Sequence, residues 1–187
     1  EALEQFNEHG FLSVSLRSIA ISCNMTVGNL NYHFKQREDL LRSLYFEMVA
    51  DVDQRLEADI PKDLDRKALE HIIQNTMQRT YTYRFFWTDL YRLLQIDSDI
   101  AAHFQKVHLT RLQGNLDLQK LLEQKGLVHS ISSQKQDWTA HRMLDYSNSW
   151  LYLLQMEPQL DKKPDAIEKI IRQKARNLAD FLPWKEH

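Results

Sequence analysis

Residues 27–41 read VGNLNYHFKQREDLL, and within the first turns only Leu30 and Phe34 keep the i, i+4 spacing of a buried helical edge. Gly28, Asn29, Asn31, Tyr32, His33, Lys35 and Arg37 fill the remaining directions. A short helix polar on most sides gains little from packing, so something other than core formation selects these side chains. The neighbouring residues show what holds it. Ser15 is placed to cap a helix LRSIAISC with the apolar face Leu16, Ile19, Ala20 and Cys23. Asn24 suits the left-handed residue that ends such a helix, Met25 fills the turn, and Thr26 is placed to cap the next helix from Val27. Further upstream, EALEQFNEH sets Leu3 and Phe6 on one face and stops at Gly10, with Phe11 and Val14 as apolar anchors. Two helices joined this tightly, the second short and polar, form a helix-turn-helix pattern.

Downstream, Glu38 and Asp39 suit the positive N-terminus of a helix running to Pro61. The pattern predicts further helices over about 64–80 and 83–95, then a long one from after Asp97 to Gly126. Ser133 and Gln136 form a capping box for a helix reaching Met156, before Pro158. Pro164 fits the first position of a last helix that ends by Leu182 and Pro183. Nothing alternates as a strand would, and the 187 residues hold only four Gly and four Pro, so the expected class is all-α. The expected division is a helix-turn-helix head over 1–47 and a helical body over 48–187.

No run of 18 apolar residues and no leader pattern occurs, which gives no membrane span, and the lone Cys23 fits a reducing, cytoplasmic setting as a small core residue. The net charge of −2 does not itself announce a nucleic-acid partner. Glu1 falls inside a helix already begun, so further residues, and with them a basic arm, are expected upstream. In the head, Glu1, Glu4, Glu8, Glu38, Asp39 and Glu47 outnumber Arg17, Lys35, Arg37 and Arg42, so the nucleic-acid face must be locally basic or draw on that arm.

Residues 2–41 resemble the DNA-binding region of the TetR family of transcriptional regulators. The likeness lies in the F-x-x-x-G-F end of the first helix, the I-A of the second, and the run G-N-L-x-Y-H-F-K-x-[KR]-E-D-L-L. The resemblance implies a homodimer bearing one helix-turn-helix per subunit, a palindromic double-stranded DNA operator, and release by a small-molecule effector, with repression the usual mode. Carried over by position, Thr26, Val27, Gly28 and Asn29 lie where family members touch bases or phosphates. Tyr32 and His33 match phosphate-binding positions, Lys35 and Arg37 flank them as cations, and Ser15 and Arg17 reach the adjoining backbone. Asn31 departs from the family, which most often has Tyr there. Asn is shorter but can pair in bidentate fashion with adenine.

The remaining residues carry no motif. YTYRFFWTDLY (81–91) points its aromatics in nearly all directions, so it is expected to be buried on most sides. Some of these rings can line an effector cavity, which suggests Tyr81, Phe85, Phe86 and Tyr91, with Phe104 and Trp138, for an apolar or aromatic molecule. Asp89, His108 and His141 are the polar anchors expected among them. The eight His show no metal-ligand spacing, the Gly stand alone, and no nucleophile set is visible. No metal, cofactor or enzymatic activity is therefore expected. Dimer contacts are expected on Leu144, Trp150, Leu151 and Leu154 of one helix and Ile167, Ile170, Ile171, Leu178 and Leu182 of the last, with core packing as the competing explanation. The alternative function is a helical ligand-binding or interaction module with weakened operator binding.

Overall fold

The computed structural model describes residues 1–59, 63–156 and 163–185; Pro61 and Pro158, expected as helix stops, lie outside the described residues. Ten α-helices occur among them and no strand, apart from one isolated antiparallel bridge between Val128 and Trp184. The head comprises α1 (Ala2–His9), a 3-10 turn (Phe11–Ser13), α2 (Leu16–Ser22) and α3 (Val27–His33). The long α4 (Arg37–Asp59) leads out of it. The body follows as α5 (Arg66–Thr82), α6 (Arg84–Thr88), α7 (Leu90–Ile96), α8 (Ser98–Gln124), α9 (Ser133–Leu154) and α10 (Pro164–Ala179). The helices of the body pair lengthwise, α10 against α5 and α8 against α9.

The local chemistry in the head follows the sequence closely. Ser15 accepts a hydrogen bond from the Ser18 amide, and Thr26 accepts one from that of Asn29, so both hydroxyls cap helices. Asn24 takes the left-handed conformation at φ 54° that closes α2. Gly10 and Gly126, at φ 76° and 72°, end α1 and follow α8.

Two boundaries differ from expectation. The aromatic stretch forms two short helices that break at Asp89, whose φ/ψ of −112°/14° interrupts the ladder. A broken element lets Phe85, Phe86 and Trp87 all turn inward while Tyr91 faces water at 75% exposure. The cap of α9 is Ser132, accepting from the Lys135 amide, not Ser133; Gln136 instead donates to Glu123 of α8. Adjacent serines offer equivalent caps, and tertiary contact decides between them.

Helices α9 and α10 keep the stripes read from the sequence, but those stripes face inward. Leu144, Trp150, Leu151, Leu154, Ile167, Ile171, Leu178 and Leu182 are buried inside a single chain, so they build its core and cannot form a surface for a second copy. Of the nine residues expected at the interface, Ile170 alone keeps partial exposure.

Candidate nucleic-acid interface

Helix α3 buries one side chain, Leu30, against the head. Val27, Gly28, Asn29, Asn31, Tyr32 and His33 all face solvent, Tyr32 at 81% exposure. Nothing packs near Gly28 except its own cap, since an added Cβ would meet only Thr26 Oγ1 at 4.0 Å. That open backbone lets a flat or grooved partner approach α3 closely. Tyr32 and His33 lie edge to face with centroids 5.2 Å apart, and exposed Lys35 follows. Arg17 on α2 and the cap hydroxyl of Ser15 are exposed as well. Asn29 and Asn31 carry the bidentate amides suited to base edges, while Arg17, His33 and Lys35 suit phosphates.

Arg37 does not belong to that set. Its Nη1 donates to the carbonyls of Phe11, Leu12 and Val14, each at 3.1 Å, and its guanidinium carbon stacks 4.2 Å from the Phe11 ring centroid. Glu38 accepts from its other nitrogen at 3.3 Å. Irregular backbone after α1 leaves carbonyls without helical partners, and Arg37 supplies the donors. It is a clasp within the head and not a phosphate ligand.

The acidic excess of the head is partly accounted for by the same geometry. Glu38 is engaged by Arg37, and the Asp39 carboxylate accepts from the Gln36 amide at 3.0 Å at the start of α4.

The head is joined to the body through polar links and a column of rings. Asn7 on α1 donates to the Thr82 carbonyl at 2.8 Å and accepts from the Phe85 amide at 3.0 Å. Arg42 on α4 pairs with buried Asp97 at 2.8 Å, while the same carboxylate caps α8 through the Asp99 and Ile100 amides. Burial alone would raise the Asp97 pKa; the Ile100 amide and Arg42 outweigh it and hold the group below the usual aspartate range. Between these links Phe6 meets Phe11 edge-on and Phe85 at a tilt, and Tyr45 lies tilted against Phe86, with centroids 5.0–5.3 Å apart. Phe86 continues to Phe104 at 6.0 Å, and the Tyr45 hydroxyl meets His103 Nδ1 at 2.9 Å. Burial pushes the Tyr45 phenol up to about 12, so it stays protonated.

The expected effector residues are not gathered into one site. Phe85, Phe86 and Phe104 belong to this packed column. Tyr81 instead borders an open groove of about 500 Å³ between α5 and α10, lined also by Gln74, Gln78 and Pro164. Asp89 lies beside Gly10, where an added Cβ would come within 3.4 Å of its carboxylate. Tyr91 and Trp138 are largely exposed, His141 is exposed, and His108 is part-buried on α8. Helix direction separates them: aromatic density in sequence selected several surfaces at once. Arg111, which the sequence reading passed over, sits near Trp87 between α6, α8 and α9.

Comparison with known proteins agrees with this architecture. Residues 1–44 match the family model for bacterial regulatory proteins of the tetR family, and residues 47–179 match the TetR model described as a bacterial transcriptional repressor. The chain is 25% identical over 113 residues to the probable HTH-type transcriptional regulator YttP of Bacillus subtilis (strain 168), a match covering 59% of this chain and 55% of the relative. The chain thus spans about half the length of that curated relative. Among solved structures, a TetR-family transcriptional regulator from Marinobacter aquaeolei VT8 superposes with a TM-score of 0.77 at 21% identity, covering 94% of this chain and 95% of its own. The ketosteroid transcriptional regulator KstR2 of Mycobacterium tuberculosis superposes at 0.72 with 14% identity, covering 99% and 92%. At such identities the structural likeness speaks for the fold alone. The family models span the head and nearly all of the body, and on that ground the chain belongs to the TetR family.

Proposed function

We propose that this protein is a homodimeric, ligand-responsive DNA-binding regulator acting as a repressor, with α3 as its reading helix. One observation carries the reading: α3 commits only Leu30 to the core and leaves two Asn, Tyr32 and His33 to solvent on a rigid, capped head. Asn29 and Asn31 read base edges over Gly28, while Arg17, His33 and Lys35 fix the register on phosphates. Two copies of such a head read half-sites about 34–36 Å apart, or a multiple of that.

An electrophoretic shift titration on the gene's own upstream DNA and on random DNA tests this reading. Asn31→Ala is expected to cost about 1–3 kcal/mol on the operator and much less on random DNA. Lys35→Ala is expected to weaken both and to lower the log–log salt slope by about one. Identical base-by-base operator profiles for wild type and Asn31→Ala would remove Asn31 from the reading set.

The second copy is assigned to the outer face of α9. Trp138, Arg142, Asp145, Ser149, Tyr152 and Met156 fall on one line at helical spacing, opposite the buried stripe. Trp138, Tyr152, Leu153 and Met156 are 58%, 49%, 49% and 62% exposed, and Arg142 lies over the ring of part-buried Phe181. An exposed apolar stripe with a polar centre suits a symmetric helix pair. Replacing Tyr152 and Met156 together by Glu is expected to yield monomers by light scattering, with α-helical circular dichroism unchanged. A dimer of undiminished stability would place the interface elsewhere.

A further inference from the structure

The strongest unexplained chemistry in the body surrounds Arg111. Its Nη1 donates to Asn148 Oδ1 of α9 at 2.9 Å, and among the described residues no carboxylate pairs with it. The residue is part-buried, and burial pushes its pKa down to about 10, still charged at neutral pH. A guanidinium presents five N–H donors, and most of these have no protein acceptor here. Its carbon stands 5.9 Å from the centroid of the Trp87 ring. The Trp87 indole N–H is itself buried and has no acceptor among the described residues. A part-buried charge without a carboxylate partner and a buried orphan donor are each costly, and here they belong to neighbouring side chains. The surrounding surface is aromatic: Trp87 packs on Phe86 at 5.7 Å and on Phe104 at 6.1 Å.

We propose that Arg111 and the Trp87 indole bind the carboxylate of a small organic acid whose apolar part lies against Trp87 and Phe104. The proposal rests on the ligand-responsive reading above and alters its chemistry, from an apolar or aromatic effector to an anionic one. One carboxylate supplies what the site lacks. Its oxygens accept from the guanidinium, and the orphan indole N–H of the neighbouring Trp87 is the further donor the site offers. Asn148 holds Arg111 from the α9 side and fixes the direction of the fork. Trp87 also adjoins Phe86, the ring that touches Tyr45 on α4, so occupancy is sensed next to the helix that carries the head.

The test uses the full chain with benzoate, 1-naphthoate and octanoate, and with 1-naphthamide and octanamide as neutral counterparts. Binding is read by calorimetry and by the indole resonance of Trp87, assigned by its loss in Trp87→Phe. At least one carboxylate is expected to bind and shift that resonance, with its amide at least tenfold weaker. Arg111→Gln is expected to abolish the difference between acid and amide, and Trp87→Phe to weaken the acid alone. Without ligand, Arg111→Met is expected to raise Tm, because it removes an uncompensated buried charge. A fall in Tm would mark Arg111 as structural and overturn the proposal, as would equal binding by Arg111→Gln or no shift with any of the three acids. A shift reproduced by chloride or phosphate alone would reduce the site to one for an adventitious ion only and would also overturn it. Operator release is measured separately. Carboxylate binding that depends on Arg111 but leaves operator affinity unchanged supports the site and sinks the ligand-responsive reading; release that ignores Arg111 does the opposite.

Discussion

Arg37→Ala is expected to unfold the head at a temperature where the wild type stays intact, and so to abolish binding to operator and random DNA together. The side chain gives three hydrogen bonds to carbonyls of the segment that turns between α1 and α2, besides stacking on buried Phe11. Hydrogen bonds from a charged donor contribute about 1.5–3 kcal/mol each when well formed, but these three share one nitrogen. The expected loss is therefore nearer that of two bonds, about 3–5 kcal/mol, a large fraction of the stability of a typical domain. Arg37→Lys is expected to recover only part, because an ammonium has donors for the carbonyls but no planar group to stack on Phe11 and no second arm for Glu38. Urea denaturation followed by circular dichroism measures the cost. A stable Arg37→Ala protein that loses DNA affinity while keeping its melting curve would return Arg37 to the phosphate-binding set.

The case of Arg37 also shows what a sequence can and cannot reveal. The caps of α2 and α3, the left-handed Asn24 and the polar exterior of α3 depend on neighbours a few residues apart, so local pattern exposed them. Arg37 meets carbonyls 23 to 26 residues upstream, on irregular backbone with no period to read. In a family motif it looks like one more cation beside Lys35. The same limit explains α9. Its most apolar stripe, through Leu144, Leu151 and Leu154, is the core face, while the outer line alternates Trp138, Tyr152 and Met156 with Arg142 and Asp145. Pattern finds the buried face of a helix, but it does not say which molecule buries it. Arg111 is harder still. Arg on a long helix ordinarily reads as surface, and only the approach of Asn148 from α9 and Trp87 from α6 encloses this one.

Phe86→Ala addresses the joint between head and body, and it is expected to cost about 3–5 kcal/mol as a large-to-small change in a closed core. Phe86 has no exposed surface, and its ring lies 5.0 Å from Tyr45, 5.7 Å from Trp87 and 6.0 Å from Phe104. These neighbours belong to α4, α6 and α8, so the ring is where the helix leaving the head meets the body. Its loss leaves a void that the three helices cannot close without shifting, and a shift of α4 would, in the proposed dimer, change how the two reading helices are spaced. Operator affinity is thus expected to fall further than stability alone explains, since DNA binds only the arrangement whose half-site spacing matches. Leu151→Ala is the control: Leu151 is also buried, 3% exposed, but lies on α9, which packs mainly on α8, α6 and α10. Both variants are compared at temperatures where each is fully folded by circular dichroism. Phe86→Ala is expected to lose operator affinity there while Leu151→Ala retains it. On the proposed ligand-responsive reading, coupling between the sites takes the same path, so an effector that weakens operator binding severalfold in the wild type is expected to do so less in Phe86→Ala. Equal operator affinity in the two folded variants would mean that the aromatic column only fills space, and that the head takes its orientation from the Asn7 and Arg42 links instead.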